Sequence, residues 1–97
     1  MQYLIRKYVE GSCKYLTLGN VLIVSISNLK VIKKIEHGTI IISGLPKNIG
    51  ETFLIQQFST NAAKRLLLNS SGNIIDWYDP IDISNNQFYA TVITTLT

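Results

Sequence analysis

Charged residues are scarce in this chain. Only 15% of its 97 residues are Asp, Glu, Lys or Arg, while 46% are apolar; soluble domains usually carry about 25% charged residues. So thinly charged a surface is expected to leave apolar area for partner chains to cover. The length fits one domain spanning 1–97, and a domain of this size buries only roughly 60–65% of its unfolded surface. The single cysteine, Cys13, excludes an intrachain disulfide and any Cys-x-x-Cys metal pair. Its position near the start of an apolar run predicts a small buried residue. The single histidine, His37, stands in a Glu-His-Gly turn with no Ser or Cys motif to activate, which argues against nucleophilic catalysis. Glycines at phosphate-loop offsets, followed by a helix, are also missing. No enzyme activity and no cofactor are expected. No apolar run approaches the roughly 18 residues of a membrane-spanning helix, and the first residues carry Arg6 and Lys7 where a signal peptide needs an apolar core. Synthesis and folding in the cytosol, without membrane insertion, are therefore expected.

Basic residues are present but dispersed. The formal net charge of +3 reflects few acids more than many bases. Lys30, Lys33 and Lys34 form the densest cluster and Lys64-Arg65 a distant second. Nucleic-acid domains usually concentrate such residues into a stripe that neutralises several phosphates. Here they read more simply as lysines that keep a loop and an edge strand solvated.

What the chain has in abundance is short β-type runs. Residues 13–27, CKYLTLGNVLIVSIS, form two such runs joined at Gly19-Asn20, a strong hairpin signal. It predicts a type I′ turn, with positive φ at both central residues. That closure places Leu18 opposite Val21 and Leu16 opposite Ile23 on one face, with Thr17 against Leu22 and Tyr15 against Val24 on the other. Neither face is polar, so the hairpin needs cover on both sides. Residues 1–10 alternate as a strand, and Glu10-Gly11-Ser12 reads as a turn. Ser27-Asn28-Leu29 opens a loop or a short strand, and Glu36-His37-Gly38 is the next break. The triple isoleucine of 38–46, GTIIISGLP, predicts a strand buried on both faces. Further strands are expected over 53–59, 64–68 and 74–78, the last two joined by a loop with Gly72 at positive φ. A closing strand over 87–97 should put Phe88, Ala90 and Val92 on one face and Tyr89, Thr91 and Ile93 on the other. About seven strands with no helix predict an all-β fold, the pattern of a β-sandwich or small barrel, and of the two a small antiparallel β-sandwich is expected.

Two features bear on chemistry. Asp76, Asp79 and Asp82 crowd three carboxylates beside Pro80. Capping of turns through their own backbone amides is the simplest role; a hydrolytic pair or a calcium site requires convergence that spacing alone does not establish. Trp77-Tyr78, followed by Asp79 and by Asn85-Asn86, has the make-up of a saccharide site, with aromatic faces for stacking and polar side chains for hydroxyl groups. Trp77 serves equally well in a core or a subunit interface.

The order of these signals resembles a known family. A Gly-Asn hairpin (Leu18-Gly19-Asn20-Val21) leads to a Gly-Leu-Pro step (Gly44-Leu45-Pro46). A hairpin about Gly72 follows, and an aromatic and threonine-rich strand ends the sequence. In this order it is similar to the C-terminal receptor-binding head domain of phage tail-fibre and baseplate proteins. The resemblance implies a trimeric β-sandwich at the virion tail tip that recognises a host cell-surface saccharide without cleaving it, beside other tail or baseplate subunits. It supplies no ligand residues position by position; Trp77, Tyr78, Asp79, Asn85 and Asn86 are candidates from their chemistry, and no metal ligands are implied. The sequence also admits a small barrel binding nucleic acid through Lys30, Lys33, Lys34 and Lys64 with Tyr15 or Tyr89 stacking on bases, or a purely structural virion subunit.

Overall fold

The computed structural model describes residues 3–57, 63–76 and 87–97. Seven strands are present: β1 (Val9–Leu18), β2 (Val21–Val31), β3 (Ile40–Ile42), β4 (Glu51–Gln57), β5 (Ala63–Leu68), β6 (Ile74–Asp76) and β7 (Phe88–Thr95). No helix occurs among the described residues. All neighbours pair antiparallel in one sheet ordered β1-β2-β7-β4-β5-β6-β3. The all-β antiparallel fold is thus the one the sequence predicts, formed by one nearly closed sheet around a common core.

The β1-β2 hairpin sets the frame. Its register pairs Leu18 with Val21, Thr17 with Leu22, Leu16 with Ile23 and Tyr15 with Val24, as the turn position demands. The turn itself differs from expectation: Gly19 has φ 58° but Asn20 keeps a negative φ. Positive φ at the first central residue alone is the type II′ pattern, which matches strand twist equally well.

Glu10-Gly11-Ser12, expected as a turn, lies inside β1, and β2 runs without a break through Asn28. Both departures have one cause. The pairing shifts by one residue between Glu10 and Ser12, leaving Asn28 as the extra residue of β2 at φ 54°. A bulge of this kind absorbs turn-like residues without ending a strand. Gly11 is needed opposite it, since a Cβ there would come within 2.5 Å of the Asn28 carbonyl oxygen. Tyr89 closes the bulge by donating its hydroxyl hydrogen to Asn28 Oδ1 at 2.6 Å.

Alternation along the strands builds the core. Leu22, Val24 and Ile26 of β2, Ile55 of β4, Leu66 and Leu68 of β5, and Phe88 and Val92 of β7 are buried in one cluster. The inward and outward parity of β7 follows the sequence reading. In β3 the expected burial on both faces holds for Ile41 and Ile42 but not for Ile40, which is exposed. A register irregularity between Ile40 and Ile42 turns two successive side chains inward.

The sheet nearly closes through the N-terminal arm, which pairs at Leu4 with Ile42. The Ile5 N–H donates to the Ile41 carbonyl at 2.8 Å and the Ser43 N–H to the Tyr3 carbonyl at 2.9 Å. A turn over 6–8 then carries the chain into β1. The expected strand over 1–10 is therefore an arm, a turn and the first residues of β1. At the opposite edge of the core, buried Asn48 ties two loops together. Its Nδ2 donates to the carbonyls of Pro46 and Asn69, while Oδ1 accepts from the Gly50 N–H.

Candidate functional site

The five residues singled out for saccharide contact, Trp77, Tyr78, Asp79, Asn85 and Asn86, lie outside the described residues, as do Asp79's neighbours Pro80 and Asp82. What the fold establishes is their attachment. β6 ends at Asp76 and β7 begins at Phe88, two strands that β5 and β4 separate in the sheet. Asp76 itself is fully buried on the inner face of β6, paired with Leu66. Its backbone N–H donates to the Thr39 carbonyl, and its carbonyl accepts from the Gly38 N–H. Asp76 thus sits inside the strand expected over 74–78 and not at a turn, where the capping role would place it. Among the described residues no cluster of three or more His, Cys, Asp or Glu side chains has the arrangement to hold a metal ion.

The basic residues do not form one stripe. Lys30 stands in β2 opposite Glu10, whereas Lys64 lies in β5, beyond β7 and β4 in the sheet. Three strand spacings make about 14 Å along the sheet. Lys33 and Lys7 both approach the Tyr8 ring, at 5.8 and 5.4 Å from its centroid, and Lys34 pairs with Glu36 at 3.7 Å. Tyr89, a candidate for base stacking, spends its hydroxyl on the β2 bulge.

Two surfaces stand out among the described residues. The first is the outer face of β1, β2 and β7. Register places Leu16, Ile23 and Ile93 in one row across the three strands, and Leu18, Val21 and Thr95 in the next. Leu16, Leu18 and Ile93 are 56%, 60% and 59% exposed. The N–H of Ile49, itself exposed, reaches the Thr95 carbonyl at 2.9 Å and so extends the apolar area beyond β7. The sequence placed Leu16 and Leu18 on a face needing cover. It placed Ile93 on the face opposite Phe88 and Val92, but the meeting of the three depends on β2 pairing with β7, for which adjacent sequence carries no signal.

The second is a cleft of about 610 Å³ between the N-terminal arm and β1, lined by Tyr3, Leu4 and Arg6 on one side and by residues 11–15 on the other. Tyr3 and Tyr15 meet edge to face, with centroids 5.8 Å apart and planes at 64°, a favoured arrangement of ring quadrupoles. Partial burial raises the Tyr3 phenol above its ordinary value, and the Tyr15 phenol adds to the rise. Burial also pushes the Cys13 thiol up to about 11, so this cysteine is an inert wall of the cleft at neutral pH. The part played by Tyr3 and Arg6 was not foreseen, because only the pairing of the arm with β3 brings them opposite β1.

No family model, curated protein or solved structure matches this chain.

Proposed function

We propose that this chain is a non-enzymatic recognition head that assembles with copies of itself, three about a common axis, and binds a host cell-surface saccharide at the tip of a phage tail fibre or baseplate. The observation that carries the assembly is the exposed apolar area on β1, β2 and β7. Antiparallel sheets with one solvated face normally alternate apolar inward and polar outward; here the outward positions Leu16, Leu18, Val21 and Ile93 are apolar. A contiguous exposed patch of this kind marks an association surface. The scarcity of charge on the whole chain supports the same reading.

Saccharide contact is assigned to Trp77, Tyr78, Asp79, Asn85 and Asn86 on the chemistry of those side chains alone. Light scattering of the purified chain tests the assembly: a trimer mass is expected, and a stable monomer at micromolar concentration overturns it. A glycan array then tests recognition. Signal lost in Trp77→Ala with the mass unchanged supports the saccharide site. A trimer that binds no glycan indicates a purely structural subunit.

A further inference from the structure

The cleft beside β1 is bounded by an unusual wall. Five successive residues, Gly11, Ser12, Cys13, Lys14 and Tyr15, all line it. Side chains of successive strand residues point to opposite faces, so an unbroken run of five can border one cleft only along the edge of the strand. That edge is main chain. β1 pairs with β2 on its other side and, among the described residues, with no other strand. Counting from the two-residue turn, the flanking pair Leu18–Val21 exchanges hydrogen bonds, and alternate pairs after it do the same. Tyr15 and Cys13, in the intervening pairs, therefore direct their N–H and C=O groups away from β2 and toward the cleft. Across the gap runs the arm, an extended piece already paired with β3. Among the described residues the cleft of about 610 Å³ separates the arm from β1, and Tyr3 meets Tyr15 across it.

We propose that this gap receives an extended, acid-bearing peptide segment of a partner protein, which adds to the free edge of β1 as a strand. Main-chain hydrogen bonds from such an edge give affinity, and the side chains around it give selectivity. Selectivity for acid follows from the walls. Lys14 stands exposed on β1, and no carboxylate occurs among the described residues lining the cleft. The Tyr3 and Tyr15 rings, in contact with each other, add aromatic surface to the lining. A second copy of this chain is a poorer occupant through the same edge, since it would bring its own Lys14 against this one. The inference concerns a different surface from the outer apolar face and from residues 77–86, and stands independently of the proposed function.

The test uses the full chain and a short acetylated, fluorescently labelled peptide alternating threonine or valine with glutamate. Its controls are the same peptide with lysine for glutamate, two versions N-methylated along one edge or the other, and polygalacturonate as an acidic polymer without peptide N–H groups. Fluorescence anisotropy should show the glutamate peptide binding at least roughly tenfold more tightly than the lysine peptide. At least one N-methylated version should weaken by a similar factor, since it loses a row of ladder bonds. Lys14→Glu, at an exposed position, should reverse the preference between glutamate and lysine peptides while leaving the circular dichroism spectrum unchanged. The proposal is overturned if the glutamate peptide does not bind, if both methylated versions bind as well as the parent, or if polygalacturonate competes with equal strength, which would make the cleft a reader of negative charge alone. Retention of the native mass in Lys14→Glu separates failure here from failure of the assembly.

Discussion

Cys13 and Asn48 show how single buried groups set measurable behaviour. The Cys13 thiol is buried and its pKa lies at about 11, above the ordinary 9.0. A folded-state value above the unfolded one means that the fold favours the neutral thiol. Its contribution to stability is therefore fully present below pH 9.0 and is lost as pH rises through about 11. Denaturant unfolding between pH 8 and 11 should lose stability more steeply in the native sequence than in Cys13→Ala, and iodoacetamide at neutral pH should label Cys13 only when the chain is unfolded. Asn48 meets its neighbours through both ends of its amide: two carbonyls accept from Nδ2 and one N–H donates to Oδ1. Asn48→Asp replaces the two donations with a carboxylate facing carbonyl oxygens, in a fully buried place. A loss of roughly 3 kcal/mol in urea unfolding is expected, because groups left unpaired in the interior have given up hydration with no hydrogen bond to replace it.

Among the elements, the two hairpin turns make a controlled comparison. Gly19 and Gly72 both have positive φ, 58° and 88°. Around Gly19 an added Cβ meets nothing within 4 Å, whereas at Gly72 it would collide with the main chain of Leu45. The Gly72 loop is also locked from within, since Asn69 Oδ1 accepts from the Ser71 and Asn73 N–H groups and the Leu45 N–H donates to the Gly72 carbonyl. Gly19→Ala should therefore cost only the backbone conformation, about 1 kcal/mol, while Gly72→Ala should cost roughly 3 kcal/mol because backbone cannot move aside as a side chain can. Thermal melting of the two variants checks the order; equal losses would mean that the 69–73 loop shifts freely against Leu45.

For the whole molecule, the core and the outer face make separate demands. One buried cluster fills the interior of the curled sheet, yet Leu16 and Ile93 stay exposed in a common row with Ile23. Leu16→Glu with Ile93→Glu places charge on an outward face without touching that cluster. The double variant should keep the β-type circular dichroism spectrum and, if the native chain has the proposed trimer mass, fall to that of a single chain, as measured by light scattering. An assembly that survives both substitutions would place the contact elsewhere. Burial of a charge without a partner at an interface costs several kcal/mol, enough to dissolve an association held by apolar contact.

The amino-acid sequence alone determined what depends on neighbours along the chain. A two-residue turn and a period of two settle the β1-β2 register and the facing of β7, because a slip by one residue would exchange core and solvent faces of a whole strand. The 69–73 loop, with its glycine at positive φ, was legible for the same local reason. The tertiary structure decided what depends on distant pairing. Gly11 reads as a turn residue and Asn28 as the opening of a loop or short strand until a bulge places them inside a continuous sheet, and the full burial of Asp76, in a strand the sequence does predict, comes from β6 lying between β5 and β3. The arm's pairing with β3, which opens a cleft against β1, and the row formed by Leu16, Ile23 and Ile93 likewise come from strands far apart in the chain. Short-range patterns carry the conformation of each strand but not its neighbours, since which edges meet is settled only when the chain closes over one core.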